Sequence, residues 1–95
     1  MKIGNSIKSI RKKRGFRQVD LANLCGISQN YLSQIEKNIK EPNFSTLKLI
    51  ADKLDTPLLV ILFLSIEEDD VKQEKRDVYK TLEPTIKTLV TSFLE

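Results

Sequence analysis

The chain has 95 residues, 31% of them charged and 40% hydrophobic, enough for one compact domain with an appendage and too apolar for wholesale disorder. A separate catalytic or sensory domain is not expected within this length. The net charge of +3 is unevenly spread, since residues 1–66 hold eleven Lys and Arg against five Asp and Glu (+6) and residues 67–95 hold five against eight (−3), so a polyanion would meet the first part and be repelled by the second.

Ile3, Ile7 and Ile10 recur at helical spacing and Gly15 supplies a left-handed stop, which predicts a first helix. Its basic last turn, Arg11 to Arg14, suits both the helix dipole and a phosphate. Phe16 is expected in the core. Gln18 to Cys25 reads as a second short helix burying Leu21, Ala22 and Cys25, and Gly26 ends it. Cys25 is the only cysteine, so no intramolecular disulfide is possible, and with no His to activate it the thiol reads as a small buried hydrophobe. The N-terminus lacks the apolar core of a signal peptide, which makes the cytoplasm the expected compartment.

The third helix, residues 28–36, can bury Ile27, Leu32 and Ile35 on one side while Gln29, Asn30, Ser33 and Gln34 face outward. Amide side chains donate and accept together, so they can pair with the N6 and N7 edge of adenine in the major groove. In the following loop Asn38 can adopt positive φ and Pro42 blocks helix continuation. Asn43 is placed to cap a fourth helix with Phe44, Leu47, Ile50, Ala51 and Leu54 on one face. Thr56-Pro57 should cap and start a fifth. Leu58 to Leu64 is apolar all round, so a second surface must cover it, either the C-terminal segment or another subunit. The run Pro57 to Ile66 is about ten residues, short of the roughly 20 that span a membrane.

Ser65-Ile66-Glu67-Glu68 fits a capping box and predicts a helix running past Val71, Val78 and Leu82 to Glu83-Pro84, where proline should end it. A final helix then carries Ile86, Leu89, Val90, Phe93 and Leu94, with Leu82, Ile86, Leu89 and Phe93 at the spacing of a short seam. Thr81, Thr85, Thr88 and Thr91 are poor helix formers, so this arm depends on packing for its order.

The series Ile7-x-x-Ile10-Arg11, Gly15-Phe16-x-Gln18, Leu21-Ala22, Gly26-Ile27-Ser28, Tyr31-Leu32-Ser33-Gln34-Ile35-Glu36, Pro42, Thr46-Leu47 and Ile50-Ala51-x-x-Leu54 resembles the Cro/CI-type, lambda-repressor-like helix-turn-helix domain from about Ile3 to Phe63. The resemblance implies an all-α, five-helix domain whose third helix enters the major groove, usually as a dimer on a palindromic operator. It implies base contacts from Gln29, Asn30, Ser33 and Gln34, and phosphate contacts from Gln18, Ser28, Tyr31, Lys37, Asn38 and Lys40; Arg17, an extra cation near DNA, is also expected to meet a phosphate. Arg11 and Glu36 match a pair that bridges the first and third helices. Arg17 replaces the usual Ser or Thr cap of the second helix, and Asp55 replaces the usual Gly after the fourth.

Residues 1–64 are therefore expected to form the DNA-binding domain and residues 65–95 a helical arm. A homodimer is expected to meet through Leu59, Val60, Phe63, Leu64, Leu82, Ile86, Leu89 and Phe93. A repressor acting on double-stranded DNA is the leading reading. The alternative is an antitoxin or other protein-binding module whose arm holds a partner. No enzyme, cofactor or metal is expected, since the chain has no His, no glycine-rich phosphate loop and no clustered metal ligands.

Overall fold

Ile7 and Ile10 of the first helix are fully buried, and the rest of the chain wraps around them. The computed structural model describes residues 1–95 and is all-α: α1 (Ile3–Lys13), α2 (Gln18–Leu24), α3 (Gln29–Glu36), α4 (Phe44–Lys53), α5 (Leu58–Ser65) and α6 (Arg76–Thr91). Short 3-10 turns lie at Glu68–Asp70, Gln73–Lys75 and Ser92–Leu94. Leu21, Leu32, Ile35, Ile50, Leu54 and Ile61 complete a core drawn from the first five helices and their ends. Cys25 joins it, and burial pushes its thiol pKa up, away from reactivity.

Local chemistry sets the turns. Gly15 and Gly26 take positive φ where α1 and α2 end, as Asn38 and Asp55 do after α3 and α4. Ser28 and Asn43 cap α3 and α4, accepting the backbone N–H of Tyr31 at 3.0 Å and of Thr46 at 2.8 Å. Gly4 answers a different demand, because a methyl there would overlap the carbonyl oxygen of Ile35. Only glycine lets α1 lie directly on the end of α3.

Several local expectations fail, each for a visible reason. Phe44, expected inward, is 66% exposed at the first position of α4, with the Lys48 ammonium 5.6 Å from its ring centre. Thr56 does not cap α5; its buried hydroxyl donates to the Leu54 carbonyl at 3.0 Å, and Pro57 takes the cap position. Ser65 closes α5 instead of opening a helix, its buried hydroxyl reaching the Ile61 carbonyl at 2.6 Å and Ser6 at 2.9 Å. The capping box forms at Glu67 and Asp70 and leads only into a 3-10 turn. That turn is held by the Met1 ammonium, 2.9 Å from Asp70, and α6 waits until Arg76.

Pro84 sits inside α6 rather than ending it. Pro84 and Lys80, whose carbonyl loses its N–H partner, are both exposed residues.

The arm folds back on its own chain. Half-buried Tyr79, Ile86 and Val90 mark the face of α6 turned toward α5, which leaves Leu62, Phe63 and Leu64 only partly exposed. Arg14 fastens the far end, donating to the carbonyls of Leu54 and Asp55 at 3.0 Å each and of Phe93 at 2.8 Å. This guanidinium serves structure, so the basic turn of α1 offers Lys12 and Lys13 to solvent but not Arg14. Val60, expected between subunits, is 2% exposed within the single chain and belongs to its own core. Leu59 beside it is 74% exposed.

Candidate nucleic-acid interface

The α3 helix is built as a two-sided element. Leu32 and Ile35 are buried and Tyr31 is half-buried against the core, while Gln29 and Asn30 are exposed and Ser33 and Gln34 half-exposed beside them. The buried side fixes the helix in place. What faces water is a row of amide and hydroxyl groups carrying no net charge, which suits hydrogen bonding to base edges better than phosphate attraction.

Behind this face runs a chain of side-chain hydrogen bonds. Arg11 and Glu36 form a bidentate pair, Nε to Oε2 at 2.7 Å and Nη2 to Oε1 at 3.0 Å, with Arg11 7% and Glu36 4% exposed. Arg11 Nη1 also donates to the Phe16 carbonyl at 2.9 Å. The Gln18 amide donates to Glu36 Oε1 at 3.1 Å, and the Gln29 amide donates to Gln18 Oε1 at 3.5 Å. Each link constrains the next, so the core pair on α1 and α3 orients Gln18 on α2, and Gln18 orients the first outward amide of α3. The family resemblance anticipated the Arg11–Glu36 pair, but the sequence reading missed its continuation through Gln18 to Gln29.

Backbone bonds order the loop after α3. The N–H groups of Ile39 and Lys40 both donate to the Gln34 carbonyl, at 2.9 and 3.2 Å. Lys37 and Lys40 are exposed and make no ion pair, which leaves both ammonium groups free. Asn38 departs from the expected phosphate role. Its side chain points back to α1, accepting from Gly4 N at 3.0 Å and donating to Asn5 Oδ1 at 2.8 Å, so it anchors the loop. Ile39, 66% exposed between the two lysines, carries no signal in the sequence that marks it for contact.

At the start of α2, Arg17 is exposed but spends its guanidinium on Asp20, at 2.8 and 3.1 Å. Hydrogen bonding within the pair pushes Arg17 up and Asp20 down in pKa. A phosphate approaching Arg17 therefore competes with a carboxylate already in place. Ser28 is exposed at the N-terminal end of α3, with its oxygen engaged by Tyr31 N–H.

The residues expected between subunits divide. Leu59, Leu82, Leu89 and Phe93 are at least half exposed, while Phe63, Leu64 and Ile86 are partly covered by the chain itself. No helix is long and apolar enough to cross a membrane.

Comparison with known proteins fits this geometry. The helix-turn-helix family profile matches residues 7–61, from within α1 through the first half of α5. An immunity repressor protein of Bacillus phage phi105 is 33% identical over 95 aligned residues, covering 87% of this chain and 66% of that protein. The HTH-type transcriptional regulator SinR of Bacillus subtilis is 34% identical over 61 residues, 63% of this chain and 55% of its own length. A 10 kDa protein of the ImmF control region of phage phi105 is 35% identical over 66 residues, 70% of this chain and 73% of its own. The chain thus spans less than two thirds of the phage immunity repressor and of SinR, and no solved structure matches it. The matched segment contains the buried Arg11–Glu36 pair and the whole polar face of α3, and the chain belongs to the Cro/CI-type helix-turn-helix family of DNA-binding transcriptional regulators.

Proposed function

We propose that the protein represses transcription as a homodimer bound to a palindromic operator, with α3 lying in the major groove. The observation that carries this reading is the outward face of α3, where Gln29, Asn30, Ser33 and Gln34 stand clear of the core and the Gln18 amide steadies the first of them. In this reading those four residues contact base edges, and adenine is the base that Gln and Asn pair with best. Lys37 and Lys40 neutralise phosphates, Gln18, Ser28 and Tyr31 add hydrogen bonds to the backbone, and Arg17 joins them by exchanging Asp20 for a phosphate. Residues 1–64 form the DNA-binding unit and residues 65–95 the arm that supports pairing.

Selection from a random double-stranded DNA pool with the full chain, at near-physiological salt, tests the proposal. The expected result is an enriched palindrome with half-sites about one helical turn, roughly 34 Å, apart. Substituting Gln29 or Gln34 by Ala should then cost about 1–3 kcal/mol on the selected site and little on random DNA. Salt-sensitive binding that enriches no motif would overturn it.

A further inference from the structure

The α6 helix buries one face against its own domain and leaves a second, differently built face in water. At about 100° per residue, Tyr79, Glu83, Ile86 and Val90 share the inner face, and all four are half-buried. Val78, Leu82 and Leu89 fall to one side of it, at 55%, 50% and 64% exposure, and Phe93, in the 3-10 turn that follows α6, is 55% exposed. Thr81, Thr85, Thr88 and Ser92 extend the same side. Every charged residue of the helix, Arg76, Asp77, Lys80, Glu83 and Lys87, lies elsewhere on its circumference. The outcome is an exposed sector roughly 160° wide without a charge in it.

Three of the four hydroxyl groups of this sector are already provided for, and that of Thr85 is the exception. Thr81 donates to the Asp77 carbonyl at 2.8 Å, Thr88 to the Pro84 carbonyl at 3.0 Å and Ser92 to the Leu89 carbonyl at 2.6 Å. A hydroxyl satisfied by its own helix can be covered without losing a partner, and the threonine methyls then join the apolar surface.

We infer that this sector of α6 is the surface on which a second copy of the chain docks, α6 against α6, about a two-fold axis near Thr85. The inference rests on the homodimer in the proposed function, but moves its contact off α5, where Val60 is core and Phe63 and Leu64 are partly covered. Self-pairing is what the charge pattern fits. A two-fold contact sets each position near the axis against its own copy, so any charge there would meet its like, and the sector has none. The exposed parts of the four large side chains with their threonine flanks, doubled by the axis, come to roughly 1,000 Å², the size at which specific interfaces begin. The occupant is a helix of equal length, since Val78 to Phe93 runs about 22 Å at 1.5 Å per residue.

Sedimentation analysis of the full chain at micromolar concentration, beside Thr85→Lys and Thr85→Glu, tests this. Thr85 is exposed, and Lys and Glu favour helix more than Thr does, so both variants should fold, as circular dichroism will verify. The expected result is a dimer for the unaltered chain, half that mass for each variant alone, and recovery of the dimer mass when the two variants are mixed. A monomeric unaltered chain would overturn the proposal, as would a Thr85→Lys variant that stays dimeric. DNA selection separates this failure from that of the DNA-binding reading. A dimer that enriches no motif leaves the interface standing, and a motif enriched by a monomer leaves the reader helix standing.

Discussion

Replacing Arg11 by methionine keeps most of the side-chain volume and strands the Glu36 carboxylate. That carboxylate is 4% exposed and receives two guanidinium N–H bonds, at 2.7 and 3.0 Å, after whose loss only the Gln18 amide remains. Breaking a buried pair from one side costs about 3–5 kcal/mol, a large share of the roughly 5–15 kcal/mol that holds a small domain together. At about 4–8 °C per kcal/mol, the thermal midpoint should fall by about 12 °C or more. Removing both charges, with Arg11→Met and Glu36→Leu together, should restore much of the stability, because no ion is left without a partner. That double variant still deprives Gln18 of its acceptor and Gln29 of its guide. Urea denaturation of the single and double variants, followed by binding to the selected operator, reads both effects. A single-variant loss below about 1 kcal/mol, the worth of a surface ion pair, would refute the stranded-charge argument. A stable double variant that discriminates operators as the unaltered chain does would break the proposed link from Glu36 to the face of α3.

Gly4→Ala should destabilise by about 1–3 kcal/mol or more, measured by urea denaturation, because the added methyl meets a backbone carbonyl that cannot rotate away. The tie between the N-terminus and the acidic turn should have its own pH window. The hydrogen bond to Asp70 raises the Met1 ammonium above its usual 8.0, so its contribution is whole below that pH and fades as pH rises through the raised value. Asp70 is held below its usual 3.8, first by the backbone N–H of Glu67 and then by that ammonium, so its contribution is lost only as pH falls through the depressed value. Amide exchange at residues 67–71 should accordingly be slowest, after correction for intrinsic rates, between about pH 4 and 8, and acetylating the N-terminus should remove the alkaline limb. Lys40→Gln should weaken binding to all DNA alike and flatten the slope of log affinity against log salt by about 0.9 per subunit, checked by a fluorescence titration series.

The elements that sequence periodicity revealed are those whose partners are close in the chain. The isoleucines of α1, the cap Asn43 and the positive-φ residue Asn38 each follow from residues within a turn or two. Misreadings arise where a distant residue decides. Ser65 looks like a cap until Ser6 reaches it from the other end of the chain. Asn38 looks free to meet a phosphate until Gly4 and Asn5 take both ends of its amide. Pro84 looks like a stop because the residue before a proline is biased away from helix, yet α6 runs through it at an exposed position. The polar face of α3 was legible as a set of residue types. The continuation from Glu36 through Gln18 to Gln29 was not, since nothing along the chain says which way a glutamine amide turns.

The distribution of arginines bears on how DNA would be read. Of the four, Arg11 is consumed by Glu36, Arg14 by the carbonyls at the end of α4 and at Phe93, and Arg76 by the Val71 carbonyl, while exposed Arg17 is shared with Asp20. The free cations next to α3 are therefore the lysines of the following loop, point charges with little geometric preference. A surface so provided attracts any duplex weakly, and salt screens that attraction. In the proposed function, discrimination comes from the amides of α3 and useful affinity from doubling a modest contact across the proposed dimer, since tethering a second half-site adds effective concentration without a new kind of contact. In the proposed function the neutral sector of α6 and the neutral face of α3 serve the same end. One sets how many readers are present, and the other what each of them reads.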